Sequence, residues 1–253
     1  MHRLSIRPDW PAPAAVTALS TLRGGGHSRA PYASFNLGAH VGDDRAAVAA
    51  NRGLLAGLLP PDCTVQWLSQ VHGTDVVEAA GGGDCPAADA SWSRSPGRTC
   101  AVLTADCLPV LFCSRAGDVV GAAHAGWRGL LGGVLERTVE AMAVDPGGLL
   151  AWLGPAIGPL AFEVGPEVRA AFLDGAPSAR QAATRACFVR SGTRTGHYYA
   201  DLYALARLRL AALGPVAVYG GNTCTFSSPQ QFFSYRRDGL TGRMASLILI
   251  NPG

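Results

Sequence analysis

Two histidines and one cysteine are the side chains best placed for chemistry, because each lies where an apolar segment breaks into small or turn-forming residues. His72 lies in the segment SQVHGTD, Cys107 in TADCLP and His124 in AAHAGWRG. The ends of adjacent strands bring side chains from distant parts of a chain to one site. Two imidazoles and a thiolate suit a borderline-soft ion such as zinc, and three protein ligands leave a fourth position for water or substrate. One interpretation is therefore a zinc site with an open position.

Three other interpretations of the same residues stay open. The spacings, 35 residues from His72 to Cys107 and 17 from Cys107 to His124, match no short zinc-binding pattern, and a single Cys or His is often only packed in a core. A second interpretation is a metal-free thiol enzyme of the amidase or deamidase type, with Cys107 as the nucleophile and His124 as its base. A zinc-stabilised binding module needs a fourth ligand, which Asp75 or Asp106 would supply.

The composition excludes several classes of protein. Of the 253 residues, 48% are hydrophobic and 15% are charged, which excludes a disordered chain and a coiled coil. No apolar run approaches the roughly 18 residues of a membrane span. All 21 basic residues are Arg and they are scattered, so no nucleic-acid surface is expected. Seven cysteines, an odd number in a chain too long to need disulfides, indicate a reducing cytoplasm.

The apolar pattern predicts short strands that mix with helices without strict alternation. Strands are expected over 16–22, 65–71, 100–105, 109–113, 119–123, 149–153, 216–219 and 245–250. Helices are expected after a cap at Asp43 or Asp44, over 131–142, from Pro166, and from Asp201 to a stop at Gly214. With no internal repeat and no linker, residues 1–253 are expected to form one α/β or α+β domain, in which central mixed sheets are covered by helices.

Further segments show that the chain resembles a known family. The segments around His72, Cys107 and His124 look like the signature blocks of the YfiH family, also called laccase-domain or multicopper polyphenol oxidase-like proteins. The segments YASFNLG, VGDD, GPAIGP, FEVG, SYRRD and TGRMAS agree with further blocks of that family in the same order. PAADA is an ordinary version of the family's acidic loop, whereas the stretch 175–195 matches no block of the family.

The resemblance implies a fold, a metal site and an activity. The fold is layered, with sheets inside and helices outside, and is similar to the catalytic domain of cytotoxic necrotising factor. In the family, the residues at His72, Cys107 and His124 bind zinc in a surface cavity and carry the catalysis. The implied activity is phosphorolysis of adenosine, inosine and methylthioadenosine to the free base and ribose 1-phosphate, together with hydrolytic deamination of adenosine. Some members are instead linked to the editing of cell-wall precursors.

Phosphorolysis and deamination each need further residues. Phosphorolysis calls for a cationic phosphate site, for which Arg23 beside a Gly run, Arg128 and Arg236 are candidates. Asn36 is a candidate contact to the ribose or the base. The alternative for each Arg is a solvated surface charge, and for Asn36 it is stabilisation of its own turn.

Deamination also needs a proton carrier, and the His-x-Glu motif that supplies it in zinc deaminases is absent here. Zinc in this site would lower the pKa of a bound water to about 7. Asp75 or Asp106 is the expected substitute for the missing Glu. Each has the alternative role of orienting a metal-binding imidazole.

A copper oxidase is less well supported than a zinc enzyme. The chain has six histidines in total, too few for a type 1 and a trinuclear copper centre together. Because divalent copper outcompetes zinc at most nitrogen and sulfur sites, weak phenol oxidase activity would follow from binding the wrong metal. The expected partners are purine nucleosides and phosphate, with no nucleic acid and no membrane, and the expected state is a monomer.

Overall fold

Fourteen strands form three sheets in the part of the chain that the computed structural model describes, residues 4–81 and 83–253. The strands are β1 (Ser5–Ile6), β2 (Val16–Thr21), β3 (Thr64–Gln66), β4 (Val76–Glu78), β5 (Ala90–Ser93), β6 (Arg98–Thr104), β7 (Leu108–Ser114), β8 (Val120–Ala125), β9 (Leu149–Leu153), β10 (Glu163–Val164), β11 (Phe188–Arg190), β12 (Tyr198–Ala200), β13 (Ala217–Gly220) and β14 (Met244–Ile250).

Seven helices and two short 3₁₀ turns complete the described elements. The helices are α1 (Arg45–Ala56), α2 (Trp127–Gly132), α3 (Val134–Met142), α4 (Pro166–Asp174), α5 (Gln181–Ala186), α6 (Leu202–Leu213) and α7 (Tyr235–Asp238), and the 3₁₀ turns are Pro146–Gly148 and Ser178–Arg180. None of the helices described combines the length and the apolar character that a membrane crossing requires. The stretch 175–195, which matched no family block, holds one 3₁₀ turn, α5 and β11.

The two large sheets are mixed, as the sequence predicts. The five-stranded sheet has the order β1-β2-β14-β6-β3, and β3 runs parallel to β6. The six-stranded sheet has the order β13-β9-β7-β8-β5-β4, with parallel pairs at its two edges. The small sheet, β10-β12-β11, is antiparallel. These mixed sheets and their helices confirm the predicted α/β (α+β) fold class.

The two large sheets pack face to face, and helices cover their outer faces. Apolar side chains from both sheets, such as Val102 and Leu111, share one core cluster between them. Leu55 of α1 packs on the outer face of the five-stranded sheet. Leu135 of α3 and Leu210 of α6 pack on the outer face of the six-stranded sheet. The order helix, sheet, sheet, helix agrees with the layering that the family resemblance implies.

Local sequence signals predicted the ends of several helices correctly. The Asp44 carboxylate accepts a hydrogen bond from the backbone N–H of Ala46, and α1 begins at Arg45, directly after Asp44. Pro166 is the first residue of α4. Asp201 caps α6, which ends before Gly214. These residues act through contacts within a few positions of themselves, which a sequence pattern captures.

Two predicted elements are wrong in extent. The strand expected over 65–71 ends at Gln66, because the side-chain amide of Gln70 pairs with the backbone of Leu103 instead. The helix expected over 131–142 is divided at Gly133, whose φ of 100° lies in the left-handed region that ends a helix.

Candidate metal centre

The structure brings His72, Cys107 and His124 together at the edge of the two large sheets. Cys107 lies in the turn between β6 and β7, where the chain passes from the five-stranded to the six-stranded sheet. His124 is in β8 and pairs with Pro109 of β7, so it lies beside that turn. His72 lies in the loop between β3 and β4. One potential ligand atom of each residue lies within 4.8 Å of the other two, which suits a bound metal ion.

The buried carboxylate of Asp89 fixes the orientation of His124. Asp89 directly precedes β5, and the pairing of Ala90 in β5 with Ala123 in β8 brings it beside His124. The distance from His124 Nδ1 to Asp89 Oδ1 is 2.7 Å. Nδ1 therefore donates its hydrogen to Asp89, and Nε2 is left on the Cys107 side of the ring, where it can bind a metal that displaces its proton.

The same carboxylate holds the loop that carries His72. The backbone N–H groups of Val71 and His72 donate to Asp89 Oδ2 and Oδ1 at 3.1 and 3.0 Å, and that of Gly73 donates to Oδ2 at 2.6 Å. His72 has a φ of 61°, a left-handed conformation that is uncommon for a residue with a side chain. Asp89 therefore positions two of the three cluster residues.

Cys107 and His124 shift each other's pKa toward the charged forms when no metal is bound. Burial raises the pKa of the Cys107 thiol, but the imidazoles of His124 and His72 lower that pKa by more. Burial lowers the pKa of His124, but Cys107 and Asp89 raise it by more. The sulfur of Cys107 lies 4.0 Å from His72 Nε2. The net effect lowers the pKa of Cys107 to about 6, which favours the thiolate at neutral pH, the form that binds a metal or attacks a substrate.

We expect iodoacetamide to alkylate Cys107 of the metal-free protein faster than Cys63, whose thiol pKa is raised by burial and by Asp62. Because the thiolate is the reactive form, the Cys107 rate should reach half its maximum below the ordinary thiol pKa of about 8.5. One equivalent of zinc should protect Cys107 and leave Cys63 unchanged. Peptide mass spectrometry measures both rates. Equal rates, or no protection by zinc, would contradict this assignment.

A cavity of about 330 Å³ opens over the cluster. Its described lining residues are His40, Gln70, His72, Leu103, Thr104, Ala105, Cys107, His124, Tyr235 and Arg243. The volume lies within the range of small-molecule sites. Among these described residues, Arg243 is the one permanent cation and no residue is a carboxylate.

The structure places Asp106 and Arg236 outside the lining of this cavity. The Asp106 carboxylate accepts hydrogen bonds from the hydroxyls of Thr225 and Ser234 at 2.6 and 2.9 Å and from the backbone N–H of Arg236 at 2.7 Å. Arg236 donates from Nη1 to the backbone oxygen of Glu163. Asp106 therefore fastens the Cys107 turn to the C-terminal loops, and its carboxylate contacts neither cluster imidazole in the described structure.

Arg23 and Asn36 also have structural partners. The Arg23 guanidinium donates to the backbone oxygens of Ala33 and Pro229 and lies over the ring of Phe233. The buried Asn36 side chain donates to Asp43 and accepts from two backbone N–H groups, at 3.0 Å within its own turn and at 2.8 Å in the loop before β14. The expected contacts of these two residues to phosphate and ribose are therefore not supported, since both side chains are occupied.

Asp75 and Arg128 lie on other surfaces. Asp75 is exposed and lines a different cavity, together with Arg137 and Glu140 of α3. Arg128 is exposed, and its guanidinium lies over the ring of Trp127. Neither is among the residues that line the cavity over the cluster. Asp75 is therefore poorly placed as a proton carrier, and Arg128 as a phosphate contact.

Sequence reasoning missed five residues of the site: His40, Gln70, Asp89, Tyr235 and Arg243. All but His40 belong to segments that the sequence analysis had already singled out. The signal available in the sequence was an ionisable or amide side chain within a segment whose other residues are mostly apolar or turn-forming. The contacts of Gln70 with Leu103, of Asp89 with His124 and of Arg243 with Asn36 each join residues more than 30 positions apart, which no local pattern contains.

Gly129 of α2 packs directly against the loop that carries His72. A Cβ at this position would lie 2.8 Å from the backbone oxygen of Gly73, so the backbone would have to move. We expect Gly129→Ala to lower the free energy of unfolding by about 1–3 kcal/mol and to weaken zinc binding. Gly53→Ala in α1 is the matched control, since it meets no atom within 4 Å and should be neutral or stabilising. Denaturant titration measures both, and a Gly129→Ala protein as stable as wild type would contradict the expectation.

The chain belongs to the family described as Multi-copper polyphenol oxidoreductase laccase, which matches residues 17–251. It is 54% identical over 246 residues to the protein of Escherichia coli named purine nucleoside phosphorylase YfiH, covering 96% of this chain and 97% of that protein. A protein of Pseudomonas aeruginosa that is also named purine nucleoside phosphorylase is 56% identical over 247 residues, covering 96% of this chain and 97% of that protein. These matches confirm the family that the sequence blocks indicated.

Two solved structures share the fold over essentially the whole chain. A Neisseria meningitidis protein superposes with a TM-score of 0.92 at 51% identity, covering 99% of this chain and all of that one. YlmD from Geobacillus stearothermophilus superposes with a TM-score of 0.86 at 33% identity, covering 100% and 98% of the two chains. The expected likeness to cytotoxic necrotising factor stays a prediction.

Proposed function

We propose that this protein is a zinc-dependent purine nucleoside phosphorylase that acts on adenosine, inosine and methylthioadenosine, with residues 1–253 as one catalytic domain. The observation that carries the proposal is the cavity over the cluster, which combines three ligand atoms within 4.8 Å with one guanidinium group. The names of relatives that are 54% and 56% identical over nearly the whole chain support the substrate class.

The chemistry of the donor set fits zinc. His72 and His124 offer imidazole nitrogens and Cys107 offers a thiolate, and because Nδ1 of His124 is engaged by Asp89, Nε2 is the nitrogen left for a metal. No carboxylate among the described lining residues completes a four-ligand structural site, so Asp75 and Asp106 do not fit that role. When bound, zinc supplies a Lewis acid at the base of the cavity.

Phosphorolysis replaces the glycosidic bond of the nucleoside with a bond to phosphate. A phosphate oxygen forms the bond to C1′ while the bond from C1′ to N9 breaks, and N9 keeps the electron pair. The proton of hydrogen phosphate ends on the purine, so the products are the free base and ribose 1-phosphate. Negative charge on the attacking and leaving groups requires a positive site, which Arg243 supplies in the described lining.

Deamination of adenosine has less support from this cavity. Zinc deaminases move protons with a carboxylate beside the metal. The described lining residues include none, and Asp75 and Asp106, the expected substitutes, lie elsewhere. We therefore propose phosphorolysis as the main reaction and deamination as a secondary one.

Analysis of the products by liquid chromatography tests this function. Purified protein of known zinc content receives adenosine with and without phosphate, beside a His124→Ala variant. Adenine that forms with phosphate alone, and fails to form in the variant, is the expected result. Inosine that forms regardless of phosphate would make deamination the main reaction. If neither product exceeds the level of the variant, the proposed function is wrong.

A metal-free thiol enzyme is the second candidate function, since the Cys107 thiol has a lowered pKa beside His124. This alternative predicts that Cys107 is reactive in the protein as it is isolated. The zinc enzyme predicts that Cys107 becomes reactive after the metal is removed by a chelator. Alkylation before and after chelation separates the two.

A further inference from the structure

Arg243, the one permanent cation in the described lining, is held in place by the loop around Asn36. Its backbone N–H donates to Asn36 Oδ1 at 2.8 Å, and its backbone oxygen accepts from the N–H of Leu37 at 3.1 Å. A Cβ at Gly38 would lie 2.9 Å from Cγ of Arg243, so a glycine at this position lets the side chain pack closely. The sequence candidate Asn36 therefore contributes to the site by positioning Arg243.

The guanidinium group of Arg243 is fixed at one end and free at the other. Nη1 donates to the backbone oxygens of Thr241 and Gly242 at 2.9 and 3.0 Å. Within the described residues, Nε and Nη2 donate to no acceptor, and no carboxylate lies within ion-pair distance of the group. Cys107 and Asp106 both act on Arg243 electrostatically, but Cys107 belongs to the candidate metal site, and the Asp106 carboxylate is already held by three other donors.

A half-buried cation that no carboxylate pairs is unfavourable, and an anion in the cavity would offset that cost, above all once the Cys107 thiolate is engaged by a metal. The free Nε and Nη2 edge of a guanidinium is the fork that binds phosphate through two parallel hydrogen bonds. Tyr235, whose ring lies 5.9 Å from the Arg243 carbon Cζ, lines the same cavity and carries a hydroxyl donor. His40 lines it as well and adds an imidazole N–H.

We propose that Arg243, with His40 and Tyr235 beside it, forms the subsite for inorganic phosphate in the cavity of the His–Cys–His cluster. The role of this anion as the attacking group rests on the proposed function. The phosphate is oriented by the guanidinium fork so that one oxygen forms the bond to C1′ as N9 leaves with its electron pair. Its proton passes to the purine, and Arg243 stays charged throughout.

Phosphate binding measured apart from turnover tests this proposal. Inorganic phosphate is titrated calorimetrically into the protein with and without zinc, for wild type, Arg243→Gln, Arg243→Lys and the control Arg137→Gln. Arg137 is an exposed arginine of α3 that lines a different cavity. We expect Arg243→Gln to raise the phosphate Kd and the phosphate KM by about 10- to 100-fold. The inosine KM and the zinc content should stay within threefold of wild type.

The lysine variant and the two readouts keep the test decisive. Arg243→Lys keeps the charge but loses the fork, so an increase of about tenfold in the phosphate Kd is expected, and this variant decides the test if Arg243→Gln fails to fold. A phosphate Kd that equals the Arg137→Gln value in both Arg243 variants would overturn the subsite while phosphorolysis stands. Phosphate that binds through Arg243 in a protein without phosphorolysis would uphold the subsite and overturn the proposed function.

Discussion

Replacing His124 with alanine is expected to lower kcat/KM for phosphorolysis by about 10³-fold or more. His124 is buried, and its Nε2 is one of the three ligand atoms that lie within 4.8 Å. The variant removes a ligand and leaves the carboxylate of Asp89 without its side-chain donor. Both losses weaken zinc binding, so zinc per chain, measured by plasma mass spectrometry after dialysis, should fall together with activity.

His27→Ala is the matched control for this experiment, because His27 is exposed and lines a different cavity. It should keep the zinc content and the activity of wild type. Circular dichroism shows whether His124→Ala keeps its fold. A folded His124→Ala protein that retains zinc and turns over inosine at a tenth of the wild-type rate or better would rule out the metal assignment.

Replacing Asp89 with asparagine is expected to lower zinc affinity by about 10- to 100-fold, although Asp89 is not one of the three ligand residues. Each carboxylate oxygen accepts two N–H groups, so an amide in either orientation leaves two donors without an acceptor. Each buried donor that loses its partner costs about 1–3 kcal/mol. We therefore expect the free energy of unfolding to fall by about 2–6 kcal/mol in the metal-free protein.

The effect of Asp89→Asn on stability should become smaller in acid. Burial raises the pKa of Asp89, but hydrogen bonds from His124, Gly73 and Val71 outweigh burial and hold it below the ordinary value. A lowered pKa in the folded state adds stability that is complete above about pH 4 and is lost as the pH falls through the folded-state pKa. The stability gap between wild type and Asp89→Asn should therefore be full at pH 7 and narrow below pH 4.

Denaturant titrations of wild type, Asp89→Asn and the exposed control Asp145→Asn at pH 7 and pH 3.5 measure this gap. Asp145 makes no side-chain cap hydrogen bond, so its variant should match wild type at both pH values. A gap that widens on acidification, or zinc affinity equal to wild type in Asp89→Asn, would show that the carboxylate does not organise the cluster.

The parts of the fold that the sequence predicted are those fixed by nearby residues. Asp44, Pro166 and Asp201 mark helix starts through contacts within three positions, and apolar runs mark the central strands. The ends of β6, β7 and β8 brought Cys107 and His124 to one place because neighbouring strands of a sheet share an edge. The meeting of Cys107 and His124 could therefore be predicted from the strand pattern, whereas for His72, which lies in a loop well after β3, the support came from the family resemblance.

The substrate-binding residues could not be predicted in the same way. Arg23 stands beside a run of glycines, which suggested a phosphate loop, yet its guanidinium is occupied by backbone oxygens. Arg243 follows an ordinary turn, and its importance depends on which of its N–H groups lack an acceptor, a property of the folded chain. Asp89 likewise looks like a loop acid until the pairing of β5 with β8 places it beside His124.

The measurement that tests the central claim most directly is a zinc titration of the metal-free protein followed by phosphorolysis of inosine. Chelated protein receives zinc in steps of a fraction of an equivalent, and hypoxanthine and ribose 1-phosphate are quantified at each step. We expect no activity without metal, a linear rise to one equivalent per chain and a plateau beyond it, with no rise in His124→Ala. Full activity in the chelated protein, or activity that continues to rise well past one equivalent, would contradict a single catalytic zinc at His72, Cys107 and His124.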